Sequence, residues 1–345
     1  MLGACRHLAR VLFPASPSLA RLCIHTSAPV GMPIVVISPA KALDETPLSP
    51  SVPRTEPRLT THTAELIKTC KRLTAPKIKS LMGVSDAIAS LNAERFARWD
   101  DAAPKQCAFA FDGPAFRALD AASLSADELA HAQTHVRFLS GLYGLLRPFD
   151  AVKPYRLEMG SKLETARGSN LYAFWGDAVT TAILEDLESQ PPSQRFVVNC
   201  ASQEYWKCVN ANLLAERGVD VYTCVFPGPS VHAKAARGAM CRHVAETRAT
   251  DPDALRTFAG VDGEWRFVEA KADGKTLVFQ RSDTGSKPKK GSATRRVEGG
   301  EGGDRSQKQN QKPKPRRSAK RAGEETTKEE DEDRPATRAR RAKTA

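Results

Sequence analysis

The stretch Leu139-Ser140-Gly141-Leu142-Tyr143-Gly144-Leu145-Leu146-Arg147-Pro148-Phe149-Asp150, continued by Pro154-Tyr155-Arg156-Leu157-Glu158-Met159-Gly160, constrains the fold most. Upstream of it, Leu129, Ala132, Val136 and Leu139 recur at helical spacing, so the pattern predicts an amphipathic helix that delivers it. Ser125 with Glu128 three residues on is the capping-box pattern for that helix. Gly141, Gly144 and Pro148 then stop it. Beyond the stop, Arg156 and Glu158 stand among apolar residues in a loop. Fixing such a loop costs backbone and side-chain entropy, and loops that carry this cost are usually the working ones.

The flanking segments read as alternating strands and helices. Ile34-Val35-Val36-Ile37 is an unbroken β-branched run, the signature of a strand buried on both faces. It ends in the polar turn Ser38-Pro39-Ala40-Lys41. A helix is expected over about 61–72, a short one after Pro76, and a longer one from Asp86. Residues 105–111 read as a strand, 171–187 as a helix, 195–202 as a strand and turn, 219–226 as a strand, and 232–245 as a helix. A short helix is expected after Pro252, and a hairpin about Asp273-Gly274 closes the series. The expected fold class is α/β in the mixed α+β sense, one compact domain over 32–281.

Charge separates that body from its ends. The chain has 345 residues and a formal charge of +12. Residues 1–31 contribute +3, residues 282–345 contribute +8, and the body only +1. A nucleic-acid partner of the body is therefore not announced by net charge and needs local clustering. The first 31 residues hold Arg6, Arg10 and Arg21 and no acid, the composition of a transit peptide. A mitochondrial address is expected, with a plastid as the rival, and a cytoplasmic protein if the segment is not a transit peptide. From Ser282 onward the only large apolar residue is Val297, so a disordered charged tail is expected. No run approaches the roughly 18 apolar residues of a membrane span, and no membrane partner is expected. The eight cysteines form no C-x-x-C pair and mostly lie in apolar runs, as buried free thiols do.

Three places carry candidate chemistry. Pro76 to Trp99 reads as helix, tight Gly83-Val84-Ser85 turn, helix, similar to the helix-hairpin-helix module, in which turn amides and the second helix's start face a phosphate. Lys77 and Lys79 precede the turn and add attraction for nucleic acid. Ser85 stands where the module usually has a second glycine, and a plain core hairpin fits the pattern equally well. Lys234 and Arg237 share a helix face that suits an anion, with Arg242 further along, though a solvated face has the same pattern. Lys41 at a strand end is either a site residue or a solvated lysine in an ordinary turn. His131 and His135 are four apart, but no third ligand is evident, so no metal and no cofactor are expected.

These motifs together resemble the YaaA peroxide-stress family over about residues 33–281. The resemblance rests on Ser38-Pro39-Ala40-Lys41 with Leu43-Asp44, on the Leu139–Pro148 and Pro154–Gly160 stretches, and on Leu171-Tyr172 with Phe174–Asp177. Asn199, Ala201, Ser202, Glu204 and Tyr205 fall on a further pattern, as do Lys234, Ala236, Arg237, Gly238, Met240 and Arg242, and Phe258 to Phe267 resembles its late segment. One segment departs: Pro114 and Phe116 stand where the family usually has an acid and a tyrosine, with Asp112 the nearest replacement. The resemblance implies a protein made under hydrogen peroxide stress that limits damage, lowers free iron and binds DNA in a basic cleft.

Three functions follow as expectations. The first is a DNA-binding stress protein without established turnover. Lys77, Lys79, Gly83, Ser85, Lys234, Arg237 and Arg242 would grip phosphates independently of sequence, beside a polar cleft of Ser38, Tyr155, Arg156, Asn199 and Ser202. The second is a base-excision or lyase-type enzyme with Lys41 as amine nucleophile and Glu158 or Glu204 moving the proton. The third is an iron-handling protein, weakened by the absence of a recognisable ligand set.

Overall fold

The computed structural model describes residues 33–48, 52–188 and 190–282. Residues 1–31, expected to be a transit peptide, and nearly all of the charged segment 282–345 lie outside them. In chain order the first elements are β1 (Ile34–Ile37), β2 (Ala42–Leu43), α1 (Thr60–Cys70), α2 (Ala75–Met82), α3 (Asp86–Ala97), β3 (Lys105–Gln106), α4 (Cys107–Ala110), β4 (Phe111–Asp112) and α5 (Pro114–Leu119). There follow α6 (Ala126–His135), β5 (Val136–Ser140), β6 (Gly144–Leu146), β7 (Ala151–Val152), α7 (Leu171–Trp175) and α8 (Ala178–Leu187). The last are β8 (Phe196–Cys200), α9 (Gln203–Trp206), α10 (Ala211–Glu216), β9 (Asp220–Val225), α11 (Ser230–Thr247), β10 (Trp265–Ala270) and β11 (Thr276–Arg281).

The main sheet runs β10-β11-β9-β8-β1-β5-β6. Strands β9, β8, β1 and β5 are mutually parallel, β11 is parallel to β9, and β6 and β10 are antiparallel edges. All four residues of β1 are buried, as a central strand covered on both faces requires. Helices α5, α6 and α11 pack together, with α11 on β1 and β8, and α8 packs on β1, β6 and α10. Alanines and Gly238 on α11 let it approach α5 so closely that a Cβ at Gly238 would fall 1.8 Å from the Ala115 carbonyl oxygen.

The expected mixed α/β class holds, and three expected elements are corrected. The helix from Ser125 has its capping box, but it ends at His135, and Val136–Ser140 is a central strand. The helical spacing of Val136 and Leu139 was fortuitous: every residue of β5 is buried, as in a strand covered on both faces. Arg137 hides there because its Nε meets the Asp186 carboxylate at 2.6 Å, while Nη1 donates to the Gln133 and Val136 carbonyls. Residues 105–111 are not one strand but β3, the single turn α4 and β4, pinned as Cys107 and Ala108 N–H bond the Asp150 and Pro148 carbonyls. The helix expected over 171–187 breaks at Gly176, whose φ of 49° is left-handed, into α7 and α8.

Candidate functional site

Parallel strands place their polar turns on one edge, and here the chain reverses direction between β1 and β8. From β1 the connection leads to β5 on one side; from β8 it leads to β9 on the other. Loops diverging from neighbouring strands leave a crevice outside their carboxyl ends, the usual ligand position in open α/β sheets. The first residue after β1 is Ser38, and Ser202 stands two residues after β8. Ser202 N–H donates to Ser38 Oγ at 2.9 Å, and Ser38 Oγ donates to Ser202 Oγ at 3.2 Å. Asn199 at the end of β8 is buried, with Oδ1 accepting the Ala201 N–H at 3.0 Å and Nδ2 reaching Thr223 Oγ1. Lys41 follows Ser38 and is exposed.

The loop Tyr155–Gly160 spans this edge. Its first end is fixed where Tyr155 OH and Ser140 Oγ, at the end of β5, lie 2.6 Å apart. Ser140 Oγ also accepts the Leu142 and Tyr143 N–H groups. Its far end is fixed where Gly160 N–H donates to Glu204 Oε1 at 2.9 Å. The loop therefore ties the end of β5 to α9, which follows β8. Gly141 permits the fit, since a Cβ there would fall 2.2 Å from the Leu157 carbonyl oxygen. Between the fixed ends Arg156 Nε donates to Glu158 Oε1 at 2.8 Å, both side chains less than a fifth exposed. Glu158 Oε2 is buried with no hydrogen-bond partner in the structure. Burial pushes the Tyr205 phenol well above its ordinary range, with Glu204, Tyr155 and Glu158 adding to the shift, and burial likewise raises Tyr155. Both phenols stay neutral donors across the physiological range.

The structure thus joins Ser38 to Ser202, Tyr155 to Ser140, Arg156 to Glu158 and Gly160 to Glu204, and leaves Lys41 exposed three residues beyond Ser38. The basic residues proposed for DNA do not join them in one cluster of contacts. Lys77 and Lys79 are exposed on α2, and Lys79 Nζ meets Asp86 at 2.9 Å. Gly83 caps α2 in the left-handed conformation (φ 61°) with nothing within 4 Å of where its Cβ would be. Ser85, read as a poorer substitute for glycine, is the N-cap of α3, its hydroxyl accepting Ile88 N–H. The helix–turn–helix shape is present; its use as a phosphate-binding module is a separate matter. On α11, Lys234 is exposed and Arg237 half-buried. Arg242 is spent on structure: Nη1 donates to the Leu119 and Asp120 carbonyls and to Ser123 Oγ, and Nε to Glu246.

Sequence reasoning missed Ser140, whose hydroxyl organises the loop, because a serine inside an expected helix carries no signal of that role. In the departing segment, Asp112 is engaged by Arg117 at 2.8 and 3.0 Å, and Phe116 packs against Phe111 and Phe138. The His131 and His135 rings lie 4.3 Å apart, tilted by 33°, and burial holds His135 down at about 4. Among the described residues no three His, Cys, Asp or Glu side chains are grouped so as to hold a metal ion. No helix among them is long and apolar enough to cross a membrane.

The mostly parallel sheet, with helices on it and polar turns at its reversal point, defines a protein of the mixed α/β class. A family model described as peroxide stress protein YaaA matches residues 33–271. A UPF0246 protein of Burkholderia mallei (strain SAVP1) is 46% identical over 262 residues, covering 72% of this chain and 98% of the relative. A UPF0246 protein of Burkholderia cenocepacia (strain HI2424) is 46% identical over 261 residues with the same coverage. The chain belongs to the YaaA peroxide-stress family.

Proposed function

We propose that the protein is a peroxide-stress protein that binds DNA without sequence preference and so limits oxidative damage to it. The observation that carries the reading is the α2–α3 turn. Gly83 leaves open space beside the turn, the N-terminus of the twelve-residue α3 is exposed there, and Lys77 and Lys79 precede it. A helix start with exposed amides attracts phosphate, and lysines add sequence-independent affinity. Asp86 opposes this, and a phosphate would take Lys79 from it. The polar crevice would then face a nucleotide of the bound strand. The test is anisotropy of labelled duplex DNA titrated with the full chain, alongside Gly83→Asp and Lys234→Ala/Arg237→Ala. Each variant is expected to bind about tenfold more weakly. Unchanged affinity in both would reject this mode of binding.

A second reading, a base-excision or lyase-type enzyme, is favoured by the position of Lys41, exposed in the turn after β1 three residues beyond Ser38. Its exposure leaves the amine hydrated, so a bound nucleotide would have to desolvate it before it attacked a carbonyl carbon. Borohydride trapping on abasic-site DNA tests it; no adduct, or an adduct that survives Lys41→Ala, rejects it. Iron handling draws no support from the described residues.

A further inference from the structure

Three buried thiols meet in the main sheet. Cys200 ends β8, Cys224 lies in β9, and Cys241 is on α11, which packs on β8. The strand register fixes the closest pair. Asn199 is the parallel partner of Thr223, so Cys200 and Cys224 stand opposite each other one residue further on. Each is also held from its outer side, Cys200 by Ile37 of β1 and Cys224 by Leu277 of β11. Opposite residues of a sheet project to the same face, and neighbouring strands lie about 4.8 Å apart. A disulfide needs Cα atoms about 4.4–6.8 Å apart, so the spacing of the two strands already suits a bridge. The Cys224 thiol hydrogen-bonds to Cys200, and that bond, with burial, pushes Cys224 well above its ordinary value. A hydrogen bond that raises an acid is one the acid donates, so the Cys224 S–H faces the Cys200 sulfur. Cys241 adds a smaller electrostatic share to the same shift. Cys107 differs, because its thiol donates to the Arg147 carbonyl oxygen at 2.9 Å. The trio is not a metal site, since among the described residues no three such side chains are grouped to hold an ion.

We propose that Cys200 and Cys224 are a modification site, joined by hydrogen peroxide into a reversible disulfide that cross-links β8 to β9. The Cys200 sulfur attacks one peroxide oxygen and the O–O bond breaks. The leaving hydroxide takes the thiol proton, giving water and a sulfenic acid on Cys200. The Cys224 sulfur then attacks the Cys200 sulfur and the S–O bond breaks. The departing hydroxide takes the Cys224 proton as a second water. The two thiols lose the two electrons that the peroxide gains. Burial slows the first step, because a protonated thiol in the core is a poor nucleophile and meets peroxide only as the core opens locally. The second step is intramolecular, between sulfurs already hydrogen-bonded, so it outruns further oxidation of the sulfenic acid. Neither strand belongs to the α2–α3 turn, and the site does not depend on DNA binding.

The experiment exposes the full reduced chain to excess hydrogen peroxide, quenches with catalase at intervals, and alkylates the remaining thiols in denaturant. Trypsin separates the three thiols into peptides 196–207, 218–234 and 238–242. Mass spectrometry should find peptides 196–207 and 218–234 joined, lighter by two hydrogen atoms and released by dithiothreitol. Met82, half-buried on α2, serves as an internal clock, since its sulfoxide shows that peroxide has acted on the folded chain. Cys224→Ala should abolish the joined species and carry Cys200 on to its sulfinic acid. Cys200→Ala should abolish it too, while Cys241→Ala should leave it in place. Thermal unfolding checks that each variant is folded, and the map of the unsubstituted chain stands without them. No joined pair once Met82 is fully oxidised would overturn the proposal. So would a bridge from peptide 238–242 in its place, or bridges spread over many cysteine pairs, since the register would then not be what selects the partners.

Discussion

Replacing Gly141 by alanine tests whether the Tyr155–Gly160 loop is held as tightly as its contacts imply. The new Cβ would lie 2.2 Å from the Leu157 carbonyl oxygen and 3.1 Å from the Leu157 and Glu158 carbonyl carbons. These are backbone atoms, so no rotamer change relieves the clash, and the loop must move by about 1 Å to reach ordinary contact. Overpacking of this kind costs about 1–3 kcal/mol. The Gly141 carbonyl also accepts the buried Trp175 Nε1–H at 3.1 Å, and straining that bond adds about 1 kcal/mol. At roughly 2–4 °C per kcal/mol for a domain of this size, Tm should fall by roughly 4–16 °C. The comparison is Gly160→Ala, whose Cβ would meet Glu204 Oε1 at 3.0 Å, the end of a side chain that can turn away. Differential scanning calorimetry of both variants decides the point. A Gly141→Ala protein that melts within a degree or two of the parent, or below which Gly160→Ala melts, would refute the close packing of the loop on β5.

Three further outcomes follow from the same geometry. Arg137→Met should cost about 1–3 kcal/mol by urea unfolding, because half-buried Asp186 loses its closer guanidinium partner and keeps only Arg58. The six described cysteines are buried, and burial pushes Cys70 and Cys208 to about 12, so at pH 8 the native chain should expose at most Cys5 and Cys23 to a thiol reagent, with all eight reacting in denaturant. His135 is held at about 4 in the folded chain against an ordinary 6.5, so the unfolded chain binds its proton first on acidification. Stability should therefore fall as pH drops from about 6.5 towards 4, and His135→Gln should flatten that part of the Tm–pH curve.

Local signals in the sequence were legible wherever a few neighbouring residues settled the structure. The β-branched run of β1, the capping box of Ser125 and Glu128, and the Asp273-Gly274 hairpin all formed as their chemistry dictates. Strand β5 was not legible, because Val136 and Leu139 fit a helical period and Arg137 disguises a buried strand. Its counter-charge, Asp186, lies 49 residues away. The crevice was half legible. Ser38 and Ser202 were each picked out as turn residues, but their hydrogen bond joins positions 164 apart and exists only because β1 and β8 are neighbours. Arg156 and Glu158 could be suspected of pairing from their spacing; that their loop ties the end of β5 to α9 follows from the anchors at Ser140 and Glu204. Arg242 shows the converse: it matched a family pattern at an anion-binding position, yet its guanidinium is occupied by Leu119, Asp120, Ser123 and Glu246.

The measurement that bears most directly on the central claim is a salt series of duplex DNA binding, run on the full chain and on a chain ending at Ser282. The body is nearly neutral while the segment after it carries most of the excess charge. If the folded body grips DNA through the α2–α3 turn, the shortened chain should still bind, with log K falling linearly with log salt and a slope reduced but not abolished. Binding confined to the full chain would contradict the account, since the affinity would then belong to the tail.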